Sequence, residues 1–240
     1  MTSLAFTSFS LNGAEAQKFL QGQVTINVEN LDLNITHYTG ICSLKGRLQF
    51  GLWLTKITAE SFEIVATADQ ADALATHIKK YGAFSKMKLE AGTTVFPRIN
   101  GIHTDFAASE SDIDAWQLQA IETGQAWITA ESAEVFQPQE LRLHQREGVH
   151  YDKGCYLGQE VVARLWFKAK PKQWLHLVLG GGEVPAPTTK LGNSIQVVNS
   201  IASEGGFKAL VVAKPEALAE FSLTVLDLPA VLNGDVARPQ

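Results

Sequence analysis

The chain is poor in cysteine, has no uninterrupted apolar run of about eighteen residues, and carries no lysine or arginine between Ser109 and Glu134. Each of these absences removes a class of protein. The two cysteines, Cys42 and Cys155, lie far apart in different settings, so a disulfide framework is excluded and a reducing compartment is expected. Without a membrane-length segment, and with no basic leader followed by an apolar stretch in Met1 to Leu11, a cytoplasmic protein with no membrane partner is expected. The formal net charge of -5 argues against nonspecific attraction of nucleic acid by the overall field. The six histidines do not pair with each other or with the cysteines at metal-ligand spacing, so no metal site is expected. A Gly-x-Ser-x-Gly elbow, a Walker A loop and a Gly-x-Gly-x-x-Gly turn after a strand are also missing, which argues against a serine hydrolase, a P-loop NTPase and a Rossmann dehydrogenase. Gly180 to Gly182 cannot cradle phosphate by the usual device, because no helix follows it.

What is present is ordinary globular composition: 240 residues, 45% hydrophobic and 19% charged, enough for one large domain or two to three small ones. The most informative run is Lys153-Gly154-Cys155-Tyr156-Leu157-Gly158-Gln159-Glu160. A neighbouring ammonium and exposed backbone amides favour a thiolate, and Gly154 and Gly158 permit the close approach that aims such amides. The same residues also describe a loop cysteine packed under Tyr156, since free cysteine behaves as a small apolar residue. A second unusual stretch, Arg164 to Trp174, alternates cations with large aromatics. It reads either as a surface that pairs with phosphates while its rings stack on bases, or as an edge strand with lysines toward water.

The pattern predicts a helix over Asn12 to Gln21, strands over Thr36 to Leu44 and Leu48 to Thr55 joined by Lys45-Gly46-Arg47, and a strand over Ser61 to Ala66. A helix is then expected from Asp69, with Leu74, Ala75 and Ile78 on one face, followed by a strand over Phe84 to Leu89. Phe96 to Ala115 reads as a surface connection and Trp116 to Thr123 as a short helix ended by Gly124. After Pro171, short strands at Trp174 to Leu179, Ser194 to Val198, Leu210 to Ala213 and Leu223 to Leu226 point to a small antiparallel barrel or sandwich. The expected fold class is α+β, with an N-terminal α+β domain over 1–95, a connecting region carrying the cysteine loop over 96–170, and a C-terminal antiparallel β-barrel over 171–240.

The octapeptide, followed by Val161-Val162-Ala163-Arg164, resembles the signature of the YgfZ-type folate-binding proteins, relatives of the glycine cleavage T-protein. Leu20-Gln21-Gly22-Gln23-Val24-Thr25, Cys42 with Lys45-Gly46-Arg47, Lys80 to Lys86, and Pro138-Gln139 agree in order, so that the likeness spans residues 9 to about 170. The resemblance implies a protein that binds tetrahydrofolate or a one-carbon derivative and supports maturation or repair of iron-sulfur enzymes and thereby tRNA modification. Its partners would be iron-sulfur client or assembly proteins, and tRNA met through Arg164, Lys168, Lys170 and Lys172. Cys155 would be the key thiol with Lys153 beside it. Gly154, Tyr156, Gly158, Gln159 and Glu160 would form its loop, and Trp116 and Phe6 would pack near the pteridine. Arg142 departs from the family, whose members often have a small polar residue there, and reads either as a cation for the glutamate tail of a folate or as a surface salt bridge. Members carry a further α+β module before the tryptophan that is shortened or absent here. The alternatives are a folate-dependent aminomethyltransferase, which would need a buried carboxylate near the folate, and a tRNA-binding adaptor without catalysis.

Overall fold

The structure, a computed structural model, describes residues 4–238; Met1 to Ser3, the start of the segment read for a leader, lie outside the described residues. The chain is α+β. The first sheet is seven-stranded and antiparallel. It is built from β1 (Phe6–Asn12), β2 (Thr36–Cys42), β3 (Leu48–Thr58), β4 (Ser61–Thr67), β5 (Lys88–Leu89), β6 (Thr93–Asn100) and β7 (His103–Ala107). Its order is β2-β3-β4-β1-β6-β7, with β5 a short addition on β1. Helices α1 (Ala16–Gln21) and α2 (Ala71–Tyr81) bury Phe19, Leu20, Leu74 and Ile78 in a core shared with Leu11, Phe50, Leu52, Leu54 and Ile64 of the strands. The β2–β3 hairpin forms where the glycine allows it: Gly46 sits at φ +68°, in the left-handed region that side chains avoid.

The helix expected from Asn12 begins only at Ala16, because Asn12 ends β1, and three further stretches differ from the sequence reading. Phe6–Asn12 is a central strand although serine and threonine interrupt it, because Ser8 donates to Glu63 Oε1 at 2.7 Å and so enters the sheet satisfied. Phe84 is fully exposed and the expected strand there shrinks to Lys88–Leu89. Phe96 to Ala107 is a hairpin continuing the sheet, not a surface connection. Gly101-Ile102 supplies its turn, with Gly101 at φ +64°. Pro97 is tolerated because pairing with β1 stops at Val95, before the residue that lacks an N–H.

Helix α3 (Ile113–Glu122) begins at Asp112, whose carboxylate accepts from the Ala115 amide at 3.0 Å, and stops before Gly124 at φ +69°. Helix α4 (Gln159–Lys168) takes up the first half of the cation and aromatic run, so the edge-strand reading does not hold there: Arg164 and Lys168 are exposed one helical turn apart while Val162 is buried.

The C-terminal sheet contains β8 (Trp174–Gly181), β9 (Lys190–Leu191), β10 (Ile195–Ser203), β11 (Gly206–Ala213) and, after helix α5 (Pro215–Ala219), β12 (Thr224–Leu226). The expected strands are present, but they do not close into a barrel. The order β12-β8-β11-β10-β9 leaves β12 and β9 as unpaired edges, both too short to meet. The two sheets share one core, in which Phe6, Trp53, Trp116 and Trp127 pack with Leu175, Leu177, Leu210 and Val212. A bulge in β10 beside Asn199 accompanies a further link. The Asn199 amide accepts from the Trp127 N–H at 3.0 Å and donates to the Trp127 carbonyl at 3.1 Å.

Candidate functional site

The cysteine loop is seated by hydrogen bonds from the segment after α1. Thr25 Oγ1 donates to the Gly148 carbonyl at 2.6 Å, the His150 amide to the Thr25 carbonyl at 3.0 Å, and the Leu157 amide to the Gly22 carbonyl at 3.1 Å. The Asn27 amide donates to His150 Nδ1 at 3.0 Å, which puts the proton of the neutral ring on Nε2. Lys153 is buried, and its ammonium donates to the carbonyls of Gln21 and Val24 at 2.8 and 2.6 Å while lying 4.7 Å from the centre of the Tyr156 ring. Burial lowers its pKa to about 7, opposed by the carboxylate of Glu29. Lys153 therefore ties the loop to the C-terminal end of α1, where cations suit the exposed carbonyls.

Cys155 and Gly154 are exposed at the tip of this staple, and Tyr156 is buried beneath them. Gly158 sits at φ +78° against Cys42 and the Ser43 carbonyl, and α4 starts immediately after it with Gln159 and Glu160 in its first turn. Cys42 is fully buried, and that burial pushes its thiol up to about 12. The two cysteines thus have opposite settings, one presented and one inert.

Trp116 and Phe6 come together, as interior residues. Phe6 packs edge-on against Trp53 and Trp116 with centroids 5.4 and 5.0 Å away, Trp116 lies 5.2 Å from Trp127, and its indole N–H donates to Thr104 Oγ1 at 3.1 Å. The space between the sheets in this region is filled by aromatic rings. Arg142 is buried and donates to the carbonyls of Leu175 and Gly234 and to Gln145 Oε1, at 3.0, 2.9 and 2.9 Å, holding the start of β8 and the chain end to the connecting region. Burial lowers its pKa to about 10.

Beside this aromatic cluster lies a cavity of about 320 Å³ that the sequence did not reveal. Trp53 and Tyr38 are its aromatic residues, and Thr104, Arg146, Asp105 and Glu147 also line it. Tyr38 and Trp53 stack in tilted fashion at 4.7 Å. Tyr38 Oη, Trp53 Nε1 and His37 Nε2, on residues of the wall, are buried with no protein hydrogen-bond partner, which leaves hydrogen-bonding capacity unused. The half-buried guanidinium of Arg146 donates to Thr123 O and Gln125 Oε1, both at 2.8 Å, and to Ile102 O, so that α3, the β6–β7 turn and the cavity are fixed together. Cys155, Trp116, Phe6 and Arg142 do not line this cavity. Glu147, however, begins the segment that leads through His150 to the cysteine loop. The one available sequence signal was Arg146 between His144 and His150.

Two aromatic side chains, a fixed cation and two carboxylates suit a planar heterocycle bearing both donors and acceptors, and the volume suits a bicyclic head group. The residues present fit the pteridine of a folate. Among the described residues there is no cluster of three or more histidine, cysteine or acidic side chains able to hold a metal ion, and no helix is long and apolar enough to cross a membrane.

The fold is similar to that of a glycine cleavage aminomethyltransferase. The crystal structure of glycine cleavage system aminomethyltransferase T from Bartonella henselae superposes with a TM-score of 0.56 over 87% of this chain and 76% of that one, at 12% identity. Among curated proteins, the chain is 26% identical over 230 residues to the tRNA-modifying protein YgfZ of Serratia proteamaculans (73% of this chain, 69% of that protein). It is 27% identical over 224 residues to the protein of that name from an Enterobacter species (71% and 68%), and 26% identical over 197 residues to an uncharacterized protein of Haemophilus influenzae (71% and 70%). No protein-family model matches the chain. The homology to these proteins is weak but consistent.

Proposed function

We propose that this protein is a tetrahydrofolate-binding accessory factor that supports iron-sulfur enzyme maturation or repair, and through it tRNA modification, with Cys155 as its working thiol. The observation that carries the reading is the cavity bounded by Trp53, Tyr38, Arg146 and Glu147, whose chemistry fits a pteridine and whose Glu147 leads into the stapled cysteine loop. The relatives' shared name, tRNA-modifying protein, supports the biological direction. Trp53 and Tyr38 would face the ring system, Glu147 and Asp105 would accept from its amino groups, and Trp116 and Phe6 would back Trp53 from the core. A bound reduced folate would supply one-carbon carrier chemistry. The protein's own part is to hold the ring and to present the Cys155 thiol on the loop that follows Glu147, with Lys153 keeping that loop in place. The exposed cations Arg164, Lys168, Lys170 and Lys172 are the residues proposed to meet tRNA.

The aminomethyltransferase alternative rests on fold likeness alone, which does not carry activity. The experiment for the accessory role is rescue of a strain lacking its YgfZ-type protein. Wild-type protein restores growth and tRNA modification, while Cys155→Ala, an exposed change, folds normally and does not. Full rescue by Cys155→Ala would remove the thiol from the mechanism.

A further inference from the structure

A second and larger cavity, about 540 Å³, lies at the junction of the two sheets and plays no part in the folate reading. Its body is apolar: the buried Trp127 forms one wall, and Leu4, Val184, Pro185 and Pro187 form others. The walls are built rather than incidental. Asn199 clasps both main-chain groups of Trp127 at 3.0 and 3.1 Å, and Ser200 Oγ donates to the Pro185 carbonyl at 2.5 Å, so one strand of the C-terminal sheet fixes both sides. A half-enclosed cavity of this size, with an apolar body and polar groups converging on it, is the form that small-molecule sites take.

The charged groups decide the sign of the ligand. Among the described residues, Asp69 and Glu131 are the only ionisable ones that line the cavity, and no lysine, arginine or histidine contributes. Neither carboxylate has a salt-bridge partner among the described residues. Asp69 accepts from the Ala130 amide through Oδ2 at 2.8 Å, which orients the group and leaves its other oxygen. Glu131 belongs to the stretch from Ser109 to Glu134 that has no basic residue, a feature the folate reading leaves unexplained. An ammonium is attracted both to carboxylates and to the face of an indole, whereas an anion finds nothing here to pair with.

We infer that this cavity binds a small organic amine, an ammonium carried on an apolar body, seated between Trp127 and the carboxylates of Asp69 and Glu131. The inference is independent of the folate site. The test is calorimetric titration of the intact protein at low ionic strength with 2-phenylethylamine, beside the neutral 2-phenylethanol. One amine per chain should bind, the alcohol should bind about tenfold more weakly, and the Asp69→Asn, Glu131→Gln double variant should lose that preference. The double variant keeps acceptor oxygens at both positions, and an unchanged unfolding temperature would certify its fold. A Glu216→Gln, Glu220→Gln variant, altered away from the cavity, should bind the amine as the wild type does. Absence of saturable amine binding, equal binding of the alcohol, or equal losses in both double variants would overturn the inference and leave the folate reading untouched.

Discussion

Replacing Gly158 by alanine tests how tightly the cysteine loop is seated on the N-terminal sheet. The residue sits at φ +78°, where an L side chain costs about 1–2 kcal/mol. An added Cβ would stand 2.3 Å from the Ser43 carbonyl oxygen and 2.9 Å from Cys42 Cβ. The first contact is with backbone, so relief requires moving either the loop or the end of β2, and overpacking of this kind costs about 1–3 kcal/mol. Together these give about 3 kcal/mol. For a chain of this length that lowers the unfolding temperature by about 6–12 °C, at about 2–4 °C per kcal/mol. Gly154, four positions earlier in the same run, has no neighbour within 4 Å of an added Cβ and is not among the positive-φ glycines. Gly154→Ala should therefore stay within about 0.5 kcal/mol of wild type. Scanning calorimetry of the two variants measures the contrast. A Gly158→Ala protein that unfolds with the wild type, or a Gly154→Ala protein that falls as far, would refute the argument that the octapeptide is shaped by contact with β2.

Two other outcomes follow from burial and charge. Thiol titration with an aromatic disulfide should count one fast thiol in the native protein, lost in Cys155→Ala, and a second only in denaturant, because Cys42 is fully buried and its thiol is pushed up to about 12; two fast native thiols would contradict the placement of Cys42. Acid should destabilise the protein through His144 and His176. Burial, reinforced by the charge of Arg142, lowers both to about 4, so between pH 4 and the ordinary histidine value near 6.5 the unfolded chain binds more protons and stability rises with pH. Urea midpoints between pH 4.5 and 7 should climb less steeply in a His144→Gln, His176→Gln variant, and an unchanged slope would show that these rings do not carry the effect.

The parts of the fold legible in the sequence were those whose pattern is local. Leu74 and Ile78 share the buried face of α2, and Lys45-Gly46-Arg47 turns β2 into β3. Arg164 to Lys168 misled because cations and aromatics that alternate along a strand also segregate on a helix, and only the packing of Val162 and the stacking of Trp166 on Tyr151 at 4.2 Å decide for the helix. The C-terminal strands were visible one by one, but closure depends on which edges meet, and spacing carries no information about that. The cysteine loop could be read because eight consecutive residues compose it. The cavity could not, since Tyr38, Trp53, Thr104, Arg146 and Glu147 come from strands and turns distant in sequence, and each looks like an ordinary core or surface residue alone. Trp116 was recognised as important and its position is central, yet its role in the structure is to fill the interior behind Trp53.

The central claim is that a reduced folate occupies the cavity bounded by Trp53, Tyr38, Arg146 and Glu147. Anaerobic calorimetric titration with tetrahydrofolate, on the wild type and on Glu147→Gln, tests it directly, because Glu147 is an exposed lining residue and its amide analogue should leave the fold intact. The account predicts one folate per chain, bound at least about tenfold more weakly by the variant, the lower end of what one hydrogen bond to a charged group is worth. No binding to the wild type, or binding that Glu147→Gln leaves unchanged, would contradict it.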